Sequence, residues 1–162
     1  MPTKLLISDA NVIIDMEVGD LIEQMFRLPY QFVVPDVLYE EELKESHPNL
    51  PKLGLKRREL EAAAVEYTVV LGTKYVKPGR IDLMALALAR QEQCPLLTGD
   101  QALRDAGAAE GIEVVGTIWL VGEMLNAKII TKKDARAAYD KMKESRRRLP
   151  WAEVETQLKA YG

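Results

Sequence analysis

Four acidic side chains stand at boundaries between apolar runs and polar residues. Asp9 follows the run Lys4 to Ser8 (KLLIS). Asp100 follows Cys94 to Thr98 (CPLLT), within Thr98-Gly99-Asp100. Asp82 opens a helix that continues through Leu83 to Ala89, and Glu41 lies one or two turns into a helix begun by Pro35. Taken singly, an Asp at a helix start is a cap contributing about 1 kcal/mol, and Glu41, inside Glu40-Glu41-Glu42, is part of a solvated face. Together they would gather negative charge in one crevice, where like charges repel and raise one another's pKa. A cation neutralises such a group, and carboxylate and water ligands suit Mg²⁺ or Mn²⁺.

Composition removes the alternatives. The chain has 162 residues, 48% of them hydrophobic and 29% charged, so it fits one domain with a filled core rather than a disordered segment. Its one Cys, Cys94, has no partner for a disulfide, which makes a reducing cytoplasm the expected setting. One Cys and one His, His47, are too few for a zinc site within one chain or for a ribonuclease using two histidines. The longest apolar run, Leu83 to Ala89, is far shorter than the ~20 residues of a spanning helix, and the start MPTKLLISDA lacks a signal peptide's apolar region.

The formal charge of −3 conceals an asymmetry. Residues 1–50 carry ten acids and three bases, whereas residues 127–162 carry five acids and ten bases. The two ends could pair with each other, or a basic arm could lie beside an acidic site and attract a polyanion.

Elements that could position the acids follow from the apolar pattern. KLLIS, Gln31 to Val34 (QFVV), CPLLT and Ile112 to Val115 (IEVV) read as strands, as does Tyr67 to Leu71 (YTVVL). Helices are expected over Val12 to Met16, Leu21 to Phe26, Pro35 to Leu43, Lys56 to Glu66, Ile81 to Gln91, Asp100 to Glu110 and Gly116 to Leu125, with a loop over Pro48 to Gly54. Alternating strands and helices predict an α/β fold, three layers α/β/α around a central parallel sheet. Residues 1–126 form this core. Residues 127–162 form a helical pair packed on the same domain: one helix behind the capping box Thr131-x-x-Asp134, with Ala135, Ala138, Tyr139 and Met142 on one face, and one after Pro150 with Trp151, Val154, Leu158 and Tyr161 on one side. In open parallel sheets, ligands bind beyond the carboxyl ends of the strands, where strand ends and first helical turns meet.

Around the acids stand polar and basic candidates. Thr98 offers a hydroxyl, and Asn11 could orient a carboxylate or a water. Arg80 and Arg104 could reach a phosphate backbone, while Lys74 and Lys77 read more simply as surface charges. For Arg146-Arg147-Arg148 two readings stand equal: a phosphate patch, or bases favoured at a helix C-terminus.

The series Ser8 to Asp15, Val34 to Glu41, Ile81 to Ala89 and Leu96 to Asp100 resembles the PIN domain, and the tail with Arg148-Leu149-Pro150 is similar to that of a PIN subgroup with extra C-terminal helices. The resemblance implies a small α/β nuclease in which Asp9, Glu41, Asp82 and Asp100 are the acidic quartet binding one or two Mg²⁺ or Mn²⁺ ions. The family's Glu six residues after a Pro selects Glu41 over its neighbours. One departure is Ala10, where the family often has Ser or Thr. The implied activity is an endoribonuclease, the toxin of a type II toxin–antitoxin pair, with RNA as substrate, a small antitoxin as partner and a homodimer as assembly. The alternatives are a non-catalytic PIN-fold module binding RNA or protein, and a phosphohydrolase with Asp9 as nucleophile, which usually wants an Asp where Asn11 stands.

Overall fold

A computed structural model describes residues 4–161. Five parallel strands form one sheet: β1 (Lys4–Ser8), β2 (Tyr30–Pro35), β3 (Lys56–Arg58), β4 (Leu96–Leu97) and β5 (Val114–Val115), in the order β3-β2-β1-β4-β5. Register is set by Leu6 opposite Phe32, Ile7 opposite Leu96 and Leu96 opposite Val114. The chain passes from β1 outward to β3, then returns to β4 on the other side of β1. The strand order therefore reverses between β1 and β4, and a crevice opens at their carboxyl ends. The fold is the expected α/β arrangement around a parallel sheet.

The inner strands carry no alternation. Leu6 and Ile7, Phe32, Val33 and Val34, and Leu96 and Leu97 are all buried, as in a parallel sheet covered on both faces. Helix α1 (Ala10–Val18) begins at the Asp9 cap and ends at Gly19. It is followed by α2 (Ile22–Met25), α3 (Asp36–Leu38), which runs into a π turn over Tyr39–Leu43, and α4 (Leu50–Leu53). Helix α5 (Ala62–Lys74) leads to α6 (Arg80–Glu92). Residues Leu83 and Ala85 to Ala89 bury α6 against β1, β2 and β4. Next come α7 (Gln101–Ala109) and α8 (Thr117–Asn126).

The tail is a helical pair, α9 (Lys132–Glu144) and α10 (Trp151–Ala160). The Thr131–Asp134 capping box starts α9, with Thr131 Oγ1 accepting from the Asp134 N–H at 3.1 Å and Asp134 Oδ2 from the Thr131 N–H at 2.9 Å. Ala135, Ala138, Tyr139 and Met142 are buried. Gly19 lies so close to α9 that a Cβ there would come within 2.8 Å of the Met142 methyl. Helix α10 packs on α8 and α9 through Val154 and Leu158, and Gln157 ties it to the Ile118 carbonyl at 2.8 Å.

Three local expectations are overturned. Lys56 to Arg58 are not helical but form the edge strand β3 beside β2; charged side chains suit an edge because they discourage a further strand from pairing there. Tyr67 to Leu71 are not a strand but the middle of α5. Tertiary anchoring outweighs their β-branched preference: Tyr67 donates to Glu110 at 2.7 Å, and the Arg90 guanidinium covers the Tyr67 ring at 4.0 Å. The loop over Pro48 to Gly54 contains a helical turn, α4, which ends at Gly54 with φ +127°.

Candidate functional site

Asp9 leaves β1 at the reversal point and caps α1, its Oδ1 accepting from the Val12 N–H at 3.0 Å. Its other oxygen accepts a hydrogen bond from Thr98 Oγ1. Both residues are buried, Asp9 at 1% exposure. Asp100 caps α7 through Oδ2 and the Leu103 N–H at 2.9 Å, and its own N–H donates to Thr98 Oγ1 at 3.1 Å. One hydroxyl thus joins the acids that leave β1 and β4.

Asp82 sits in the first turn of α6, half-buried, with Oδ2 accepting from the Gly79 N–H at 3.3 Å. Charge coupling shows which acids share the crevice. Burial pushes the Asp9 carboxyl up to about 7; hydrogen bonds from Thr98 and Val12 oppose this, and the charges of Asp82 and Asp15 add to it. Burial also raises Asp82 above the usual carboxylate range, the Gly79 bond opposes, and Asp100 adds repulsion. The charge of Asp82 thus reaches Asp9, and that of Asp100 reaches Asp82.

The fourth acid needs a distinction between neighbours. Glu41 has a side chain 52% exposed and faces the Arg80 guanidinium at 4.0 Å. Glu42 lines a small cleft with Asp82, and burial together with the charges of Asp82 and Glu41 raises its pKa. The backbone supplies the reason. Through Tyr39–Leu43 the helix widens to a π turn, closed by the Lys44 N–H on the Tyr39 carbonyl at 2.8 Å. The turn buries Tyr39 and Leu43 and leaves Glu41 and Glu42 exposed side by side, and π turns recur at functional sites. The resemblance points to Glu41, six residues after Pro35, and the structure adds Glu42 beside it on the cleft with Asp82.

The other candidates scatter. Arg80 is exposed beside the Glu42–Asp82 cleft. Arg104 is half-buried over Gly116, where a Cβ would lie 2.8 Å from its Nη1. The Asn11 side chain is exposed, and its carbonyl accepts from Arg147 at 3.1 Å. Lys74 pairs with Glu110 at 3.5 Å. The arginine run divides by residue. Arg147 is a structural partner, its Nε donating to buried Asp15 at 2.6 Å, whereas Arg148 lines a cleft beside Gly99. Asp15, which also accepts from Thr117 at 2.7 Å, had one legible signal: it is an acid inside the apolar stretch Val12 to Met16.

The donor chemistry fits a hard divalent ion. The acids offer only oxygen, and Asp82 and Asp100 each keep one carboxylate oxygen, Oδ1, without a hydrogen bond among the described residues. Among those residues no group of three His, Cys, Asp or Glu stands close enough to enclose an ion.

Comparison with known proteins agrees with this architecture. No curated protein sequence matches the chain. Among solved structures, a PilT N-terminus domain protein from the hyperthermophilic archaeon Sulfolobus solfataricus P2 is similar. Its TM-score is 0.50 at 11% identity, with 75% of this chain and 93% of that one covered, a likeness of fold. A family model described as a PIN domain, DUF3368, matches residues 5–162. Tail helices included, the chain belongs to this PIN domain family.

Proposed function

We propose that this protein is a metal-dependent endoribonuclease that hydrolyses phosphodiester bonds in RNA, working in the cytoplasm with Mg²⁺ or Mn²⁺. PIN-family membership supports nuclease chemistry, and one observation carries the reading: at the sheet's reversal point Thr98 ties Asp9 to Asp100, and Asp82 stands near enough for its charge to act on Asp9. Asp82 and Asp100 would hold the ion through their unbonded oxygens, and Asp9 would join them once deprotonated. The bound ion supplies charge neutralisation at the phosphate and a water of lowered pKa.

The chain's own groups do the rest. Thr98 holds Asp9 and Asp100 in fixed orientations. Glu42, with Glu41 beside it, orients the attacking water from the α3 side. Arg80 and Arg104 flank the acids and hold the phosphate backbone. Magnesium titration by calorimetry tests this: binding to the wild-type protein is expected, weakened by at least about tenfold in Asp82→Asn.

A second reading, a non-catalytic RNA- or protein-binding module, is favoured by the absence of a three-acid cage among the described residues. It predicts no magnesium binding in the same titration.

The toxin role and its partners belong to the same proposal. Helix α5 exposes Val65, Val69 and Val70, and Val76 follows at 93% exposure; Val65, Val69 and Val76 line a cavity of about 480 Å³ between α5 and α6. Exposed apolar surface of this kind marks protein contacts. It supports a small antitoxin or a second copy of the chain as partner.

A further inference from the structure

A second cleft, of about 390 Å³, is lined by Gly99, next to Asp100, and by the segment that joins α9 to α10. Its size falls within the range of small-ligand sites. Two features point to what fills it.

The first is charge. Arg104 and Arg148 both line the cleft, and among the described residues neither guanidinium makes a hydrogen bond or has a carboxylate within 4 Å. Two carboxylates also line the cleft and do not serve them: Asp15 is occupied by Arg147 and Thr117, and Glu153 is out of ion-pair range of both. Arg104 is half-buried and its placement is built in. Its guanidinium lies over Gly116, in the space that a side chain there would fill. A half-buried arginine without an anion is a site for one, and a planar guanidinium suits phosphate.

The second is the wall. Ile118, Trp119, Leu149 and Pro150 give an apolar flank. The Trp119 indole is held in place by the Tyr30 ring at 5.7 Å. Aromatic and apolar surface next to arginine is the pairing that binds single-stranded nucleic acid, bases on the flat faces and phosphates on the cations.

We infer that this cleft is a subsite for one nucleotide of single-stranded RNA next to the scissile bond, with Arg104 and Arg148 on its phosphate and the base against Trp119 and Leu149. The choice of RNA rests on the nuclease reading above. The subsite makes the tail part of substrate binding, because Arg148, Leu149 and Pro150 come from the segment joining α9 to α10.

The test is fluorescence anisotropy of a short labelled single-stranded RNA on the full chain carrying Asp82→Asn, read across a salt series. Arg104→Ala and Arg148→Ala are each expected to weaken binding about five- to tenfold and to lower the slope of log affinity against log salt by about 0.7. Lys52→Ala, an equal loss of charge at the opposite end of the sheet, should change neither. Gly116→Ala keeps both charges but displaces the Arg104 guanidinium, so it should reproduce part of the Arg104→Ala loss. In a Trp151→Phe background, bound RNA should quench Trp119 emission. Unchanged affinity in both arginine variants, an equal loss in Lys52→Ala, or tighter binding of DNA of the same sequence would overturn the assignment. Failure of the wild-type protein to cut RNA, with the arginine dependence intact, rejects the nuclease reading and leaves the subsite standing.

Discussion

At the scale of single residues, Thr98 is the most constrained group near the acids. It donates to Asp9 and accepts from the Asp100 N–H, and it is fully buried. Thr98→Val keeps the shape but strands both partners, which costs about 1–3 kcal/mol. Urea unfolding should show that loss, with Thr98→Ser recovering most of it. Asp9 makes a pH signature. Its folded carboxyl titrates at about 7 against 3.8 unfolded. Between these values the folded state holds the proton and the unfolded state does not, so the stability from Asp9 is full below about pH 4, declines as pH rises, and is gone above about 7. Thermal unfolding in EDTA should therefore show Asp9→Asn gaining on the wild type between pH 5 and pH 8, and magnesium should stabilise the wild type more at pH 8. A variant that tracks the wild type at every pH contradicts the buried, raised Asp9. Of the candidate residues, Asp9 and Asp100 were legible because an Asp after an apolar run is both a cap and a strand-end residue, Asp82 because it opens the apolar run of α6, and Thr98 because its hydroxyl stands two residues before Asp100. Glu42 was passed over because the six-residue spacing from Pro35 selects Glu41, and Asp15, although visible as an acid in an apolar stretch, has a partner 132 residues away.

At the scale of elements, two short assignments failed for physical reasons. Lys56 to Arg58 pair with β2 through their backbone, which no side-chain pattern reveals. Tyr67 to Leu71 favour a strand locally, yet α5 is pinned to its neighbours by Tyr67 and Tyr75, which both donate to Glu110 at 2.7 Å. The long helix α6 was legible because its run from Leu83 to Ala89 must be buried nearly all round. Arg147 joins the tail to α1 by way of Asp15 and the Asn11 carbonyl. Arg147→Ala leaves Asp15 buried with only Thr117. Breaking a buried pair costs about 3–5 kcal/mol, and the quarter-exposed Arg147 should lose somewhat less, about 2–3 kcal/mol. Denaturant melts of this variant beside Arg148→Ala, expected to be near neutral, separate the structural arginine from the ligand-facing one.

At the scale of the whole molecule, the charge asymmetry has a partial structural answer. Lys141 pairs with Asp20, and Arg147 with Asp15, so some of the basic tail neutralises the acidic start. Arg148 is left facing the cleft. No helix among the described residues is long and apolar enough to cross a membrane. The exposed valines of α5 predict self-association or a protein partner. If a second copy covers them, Val69→Glu should convert a dimer to a monomer in sedimentation analysis while leaving the melting temperature within a few degrees. Dimers that persist in Val69→Glu would place the interface elsewhere.

Cleavage decides whether the coupled carboxylates are a metal-dependent nuclease centre. Purified wild-type protein is given single-stranded RNA with magnesium or with EDTA, beside Asp100→Asn shown to be folded by circular dichroism. Cuts are expected with magnesium alone, and Asp100→Asn should be slower by more than about 100-fold. RNA cut equally well in EDTA, or at the full rate by Asp100→Asn, would contradict a carboxylate-held ion as the catalyst.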